Sequence, residues 1–396
     1  MKKLIAFAGV LSAMNLASVN AQVNINGQTN THTTAVPFLR IAPDARSAGM
    51  GDVGIATSAD ANAQHWNVAK VVFSEKNAGI SFTYTPWLKA MTPDMSLMYL
   101  SGYSKFGKNN DQAVSASLRY FNLGSLRFSD INGQPAGSGR PNEFSFDLGY
   151  SRRFSNHLSA GLSLRYIRSS ILAGSDIAGI QNKAGSAVAA DLGVFYTKPK
   201  VISETKKNTL NLGAVISNLG SKMNYNDLDK SYLPANLGLG AAYIMQIDES
   251  HQFTIGLDVN KLLVPTPKDS SNTGTPRYYI PEKSVISGVF SSFGDAPGGF
   301  GEELKEFQIS LGAEYWYRQQ FAVRAGYFHE NRMKGDRQYF TFGLGVRYKV
   351  IQFNGSYLVP TGSSTARNPL ANTFRFTLMV EFDNLKGKPA ATTEAK

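Results

Sequence analysis

The side chains able to do chemistry are widely scattered. Five histidines stand at positions 32, 65, 157, 251 and 329, with no His-x-x-x-His pair or other ligand spacing that would hold a metal. The chain has no cysteine, which excludes disulfides and thiolate metal sites. No Gly-x-Ser-x-Gly elbow and no Gly-Lys-Ser/Thr phosphate loop occurs, so no nucleophile is placed beside a base. These absences predict neither an enzyme nor a cofactor. Two other groupings stand out. Asp44, Arg46, Asp52 and Asp60 put opposite charges into a stretch of small residues that ends in His65-Trp66-Asn67. Buried, such charges must pair or meet water. They are expected to latch this segment to its surroundings, with ligand contact as the other reading. The second grouping is Val285, Ile286, Val289, Phe290 and Phe293, an apolar stretch within a long polar connection. Either it contacts a partner or it folds back over the body of the protein.

The elements that carry these groups follow from periodicity. From residue 78 to 382 the chain alternates apolar and polar residues. Leu158, Ala160, Leu162, Leu164 and Tyr166 oppose Ser159, Gly161, Ser163 and Arg165. Phe340, Phe342, Leu344, Val346, Tyr348 and Val350 oppose Thr341, Gly343, Gly345, Arg347 and Lys349. Phe374, Phe376, Leu378, Val380 and Phe382 oppose Thr373, Arg375, Thr377 and Glu381. About 14 such runs occur, near 78–85, 95–106, 111–120, 143–153, 158–168, 187–197, 209–217, 235–247, 251–261, 305–316, 320–329, 338–349, 351–358 and 372–382. Their length suits a tilted membrane strand of roughly 9–11 residues. The predicted fold is all-β, a closed 14-stranded antiparallel transmembrane barrel.

Connection lengths add an independent argument. Long and short links alternate almost throughout, the one long exception among the short set lying between 197 and 209. Transmembrane barrels have short periplasmic turns and longer outer loops, so both termini are expected in the periplasm. Arg165, Arg347, Lys349 and Arg375 fall on the lumen-directed parity, where a cation avoids a cost of about 2–4 kcal/mol at the bilayer midplane.

Charged residues make up only 17% of the chain, against about 25% in soluble domains. The net charge of +11 is dispersed, which argues against nucleic acid and is compatible with anionic lipid head groups or acidic partners. Residues 1–21 read as a cleaved signal peptide: Lys2-Lys3, an apolar run over 4–17, then Val19-Asn20-Ala21. Residues 22–77 lack a sustained period and read as a hatch inside the barrel, a loose periplasmic tail being the alternative. Residues 383–396 read as a polar periplasmic tail.

One stretch carries a resemblance. Residues 38–70, FLRIAPDARSAGMGDVGIATSADANAQHWNVAK, resemble the PorV family of outer-membrane components of the type IX secretion system. Tyr84-Thr85-Pro86-Trp87-Leu88, residues 113–121 (AVSASLRYF), Pro141-Asn142-Glu143-Phe144 and residues 164–169 (LRYIRS) extend the likeness. That family is similar in turn to the FadL barrels, which have 14 strands and an N-terminal hatch. Where the family hatch usually reads Asn-Pro-Ala, this chain has Asn67-Val68-Ala69, which restores an N–H and frees the backbone angle. The resemblance implies an outer-membrane location in a Gram-negative bacterium. It implies a translocon barrel, secreted cargo with a C-terminal signal domain, and a sortase-like attachment complex as partners. Loops 121–142, 169–186 and 262–304 would then grip the cargo. A FadL-like transporter of hydrophobic small molecules is the alternative function.

Overall fold

A computed structural model describes residues 31–87, 94–129, 135–171, 176–177, 180–181, 183–226, 230–269, 278–361 and 373–383. The expected signal peptide, most of the tail and parts of the three cargo loops lie outside these residues. Fourteen antiparallel strands form one closed barrel. They are β1 (Ala78–Pro86), β2 (Ser96–Phe106), β3 (Gln112–Asn122), β4 (Asn142–Arg153), β5 (Leu158–Ser169), β6 (Gly185–Val201) and β7 (Lys207–Gly220). The ring continues with β8 (Asn236–Gln246), β9 (His251–Leu262), β10 (Phe307–Tyr317), β11 (Phe321–His329), β12 (Gln338–Tyr348), β13 (Ile351–Pro360) and β14 (Thr373–Phe382). Each strand pairs with its neighbours in sequence order, and β14 pairs with β1 from Ala78↔Phe382 to Tyr84↔Phe376. Closure leaves no row of unpaired backbone groups for lipid to meet.

The alternation read from sequence sorts into two environments. Phe340, Phe342, Leu344 and Val346 of β12 point outward, whereas Thr341 of the same strand is fully buried. Arg165 and Arg375 are buried on the lumen side. Lys349 departs from the expectation. It takes a left-handed backbone (φ 54°) in the turn between β12 and β13, where its ammonium lies 5.4 Å from the centre of the Tyr348 ring. A two-residue hairpin needs positive φ, which removes Lys349 from the alternation.

The link between β6 and β7 is residues 202–206, not the longer 198–208 stretch expected. Lys198, Lys200 and Lys207 pair as strand although they are exposed and polar. With this change every link at one end is short and every link at the other is longer.

Residues 31–77 run inside the barrel as short pieces: 3-10 turns at Pro37–Arg40 and Val68–Phe73, α1 (Ala45–Ala48) and α2 (Ala63–Trp66). The Thr31 hydroxyl donates to the Met333 carbonyl, His32 Nε2 lies 3.7 Å from Glu306, and the Ala35 amide donates to the Tyr232 carbonyl. All three partners belong to the long-link end. Asp383 lies at the other end, against Lys76. The first and last described residues are therefore at opposite ends; the chain's start, expected in the periplasm, lies outside the described residues. The alternation of link lengths located the strand ends but says nothing about a segment threaded through the middle.

Candidate functional site

The hatch is held by bonds to the wall around its whole circumference. The Asp44 carboxylate caps α1 by accepting from the Ser47 amide, and the Ala45 amide donates to Thr377 Oγ1 on β14 at 2.9 Å. Arg46 then reaches Glu314 on β10 through two bonds of 3.0 and 2.8 Å, and Asp60 within the hatch at 2.9 Å. Glu314 also accepts from Arg324 Nε on β11 at 2.7 Å. Of these charges Arg46 ties the segment to the wall through Glu314, while Asp44 and Asp60 are bonded within the hatch.

Other anchors face other strands. Asp258 on β9 accepts from the amides of Gly54 and Ile55 at 2.7 and 2.9 Å. The Gly51 amide donates to Thr341 on β12, and Tyr339 on the same strand donates to Asp52 at 2.6 Å. Ser101 on β2 and Ser159 on β5 donate to the carbonyls of Ala61 and Ala69. Asn67 caps the second 3-10 turn by accepting from the Ala69 amide, and its Nδ2 donates to the Val194 carbonyl on β6 at 3.1 Å. Arg119 on β3 donates to His65 Nδ1 at 2.6 Å and to the carbonyls of Phe38 and Leu39. Trp66 stacks over Gly54, where a Cβ would collide with the indole.

Close approach needs wall positions without side chains. Met50 lies against Gly312 and Gly326, where a Cβ would meet the Met50 backbone, and the methyls of Val68 fill the space beside Gly149 and Gly161. Val68, the departure from the family pattern, is thus a packing residue.

Two separate cavities lie on either side of the hatch. Toward the long-link end one of about 100 Å³ is lined by Arg40, Arg165, Arg337, Asn218, Asn260 and Gln308 as well as Asp52, His65 and Trp66. Toward the short-link end a vestibule of about 460 Å³ is lined by Arg46, Asp60, Glu314, Trp316 and Gln352. The first lining is about evenly polar and apolar, and the second is mostly polar.

The second sequence grouping is a helix, α3 (Val285–Ser291), capped by Ser284 Oγ accepting from the Ser287 amide. Its inner face rests on the mouth: Gly288 packs on Pro265 and the Tyr232 ring, and the Tyr232 hydroxyl donates to the Lys283 carbonyl at 2.7 Å. Ile286, Phe290 and Phe293 point outward, exposed at 68%, 75% and 49%, while Val285 and Val289 are half-buried. The inner face of this stretch thus lies on the barrel mouth, and its outer face is exposed. Phe300, in α4 (Phe300–Glu303), is exposed at 77%. The loop is pinned from below by buried ion pairs: Lys261 with Glu303 and Glu306, and Lys334 with Glu302 and Glu306, all at 2.6–3.0 Å. Sequence reading missed the wall partners Glu314, Asp258 and Arg119. Their only signal was a charge of lumen parity within an otherwise small-residue alternation.

The barrel is similar in structure to the toluene transporter TodX of P. putida, at TM-score 0.50 and 12% identity over 86% of this chain and 99% of that one. The toluene transporter TbuX of Ralstonia pickettii matches at TM-score 0.46 and 10% identity over 86% of this chain and 98% of that one. The monoaromatic hydrocarbon channel CymD matches at 0.47 and 11% over 87% and 98%. No curated protein sequence matches. The family model for the type IX secretion system protein PorV matches residues 24–269, well over half of the chain. That match settles the family: the chain belongs to the PorV family and is an outer-membrane component of type IX secretion.

Proposed function

We propose that this protein receives secreted cargo at the rim of the outer membrane, as the cargo leaves the translocon, and passes it to the attachment complex. The observation that carries this reading is the exposed ridge of Ile286, Phe290 and Phe293, in the same link as the exposed Phe300. Ile286 and Phe290 stand on α3, Phe293 just beyond it and Phe300 on α4, where Glu302 and Glu303 are ion-paired to Lys334 and Lys261. Soluble surfaces rarely leave such a cluster uncovered, and aromatic anchors on a rigid base are typical of binding hot spots. A β-rich signal domain would lie across this ridge, with the hatch closing the lumen below it.

In this reading the long links face the cell exterior and residues 1–21 direct export. The hatch comprises residues 22–77, the barrel 78–382 and the tail 383–396. Hydrocarbon passage of the kind named for TodX would need an apolar path. The arginines and amides around both cavities favour a sealed wall instead.

The test replaces Ile286 and Phe290 together by Ser. Each buried apolar side chain contributes about 1.5–3 kcal/mol at an interface, so affinity for an isolated type IX signal domain should fall at least tenfold. An unaltered affinity, with the barrel folded, would refute the ridge as the contact surface.

A further inference from the structure

Two cavities at the barrel rim meet at one residue, Ser221. The lower is an apolar groove of about 490 Å³ on the outer face of the wall, flanked by Leu148, Leu164, Tyr166, Val188 and Leu219. The upper, of about 560 Å³, lies at the long-link mouth and is lined by Lys222, Lys230 and Lys283 with Asn224, Glu282 and Ser284.

The groove has a local cause. The pairing of β6 with β7 slips between Ala190 and Leu192, opposite Asn218, which takes a left-handed backbone (φ 57°). At Gly220 an added Cβ would press on the Val188 carbonyl and on Ala189, so the strands touch there and no side chain fills the floor. Bulges of this kind bend a strand and leave local gaps. Directly above, the Ser221 amide donates to the Val188 carbonyl at 3.0 Å, and Ser221 Oγ accepts from the Val188 amide at 3.3 Å. The next residue is Lys222, whose ammonium stands 4.2 Å from the centre of the Tyr232 ring. Lys230 is exposed, and Lys283 reaches Asp295 only at 4.0 Å.

An acyl-chain-sized furrow at lipid depth thus opens upward onto three ammonium groups. We propose that this is a binding site for one phosphorylated lipid of the outer leaflet, its acyl chain in the groove and its phosphate on the lysines. Lysine serves as a point charge for phosphate, and basic residues beside a membrane surface recruit anionic head groups. Charge complementarity selects the head and the groove selects the tail, so neither half suffices alone. The assignment to the outer leaflet rests on the long links facing outward, as in the functional reading above. The binding itself does not depend on cargo.

The test uses the full-length protein in phosphatidylcholine nanodiscs, titrated with diphosphorylated lipid A, the same lipid after dephosphorylation, and inorganic phosphate. Native mass spectrometry reads stoichiometry and relative affinity. Lipid A should bind once per barrel, at least tenfold more tightly than its dephosphorylated form, and inorganic phosphate should not displace it at equal concentration. Lys222→Gln, Lys230→Gln and Lys283→Gln combined should erase the difference between the two lipids. Val188→Trp, which points outward and fills the groove, should weaken both. Heat-modifiable mobility on electrophoresis verifies that each variant is folded, and Leu164→Trp serves if Val188→Trp is not. Equal binding of the two lipids, displacement by inorganic phosphate, or indifference to both sets of variants overturns the proposal. Cargo binding by Val188→Trp, which lies on the outer wall away from α3, should be unchanged, which separates failure of this site from failure of the cargo reading.

Discussion

Arg46→Met removes the centre of the hatch latch. The guanidinium makes two bonds to Glu314, one to Asp60 and two to Ser58, and it balances two carboxylates of which Arg324 can serve only one. Breaking a buried pair from one side typically costs about 3–5 kcal/mol. The side chain of Asp60 retains 12% exposure, which places the cost near the lower end, about 3 kcal/mol. At about 1.4 kcal/mol per decade, the open-hatch population rises roughly a hundredfold. The closed barrel does not depend on this contact, so the wall should remain intact while the lumen leaks. Conductance of the purified protein in planar bilayers, read as the frequency of brief openings, measures the change directly. Hydrogen exchange at residues 45–60 gives a second readout. The double variant Arg46→Met with Asp60→Asn removes one charge of each sign and leaves the neutral Glu314–Arg324 pair, so it should recover most of the loss. A single variant as quiet as the parent, or a double variant leakier than the single one, would refute the electrostatic latch.

Three further outcomes follow from the same geometry. Asp258→Ala strips the acceptor from the Gly54 and Ile55 amides. Leaving those buried donors unpaired costs about 1–3 kcal/mol each, visible as faster amide exchange at 53–57 with β9 unaffected. Gly51→Ala forces a side chain into a left-handed backbone (φ 70°) pressed against Tyr327 and the Leu311 carbonyl. The conformation alone costs about 1–2 kcal/mol, so refolding yield in detergent should fall. At Glu330, burial pushes the carboxyl pKa up, but Arg337 at 2.7 Å and Arg40 at 3.2 Å overcome it and hold it below the ordinary 4.5. A carboxylate with a depressed folded pKa stabilises fully above its unfolded value and loses that contribution as pH falls through the folded one. The Tm gap between the parent and Glu330→Gln should be full at pH 7 and narrow as pH falls below 4.5, and a gap independent of pH would count against the Arg40–Glu330–Arg337 group.

The wall was legible in the sequence because lipid is an unforgiving solvent. It demands apolar residues at every second position across the full membrane depth, so β5, β12 and β14 declared themselves within single segments. The ends of β6 and β7 did not, because Lys198, Lys200 and Lys207 pair as strand on the polar side of the rim, where lipid no longer sets the pattern. Arg46 and Asp60 could be recognised as charges needing partners, but Glu314 lies 268 residues from Arg46, and nothing local connects them. α3 was missed as a helix although Ile286, Phe290 and Phe293 follow i, i+4, i+7 spacing after a capping Ser284. Seven residues with valine and phenylalanine read equally well as an extended apolar run.

Assembly inherits a constraint from the route of residues 31–77. The ring is sealed by pairing of its first strand with its last, a seam that cannot form until the whole polypeptide has been delivered to the membrane. The segment spanning the bore must already lie across it when that seam zips shut, since threading a finished tube would drag Arg46, Asp60 and Lys70 past a ring of close contacts. Folding here is wrapping: the wall is wound around its own stopper.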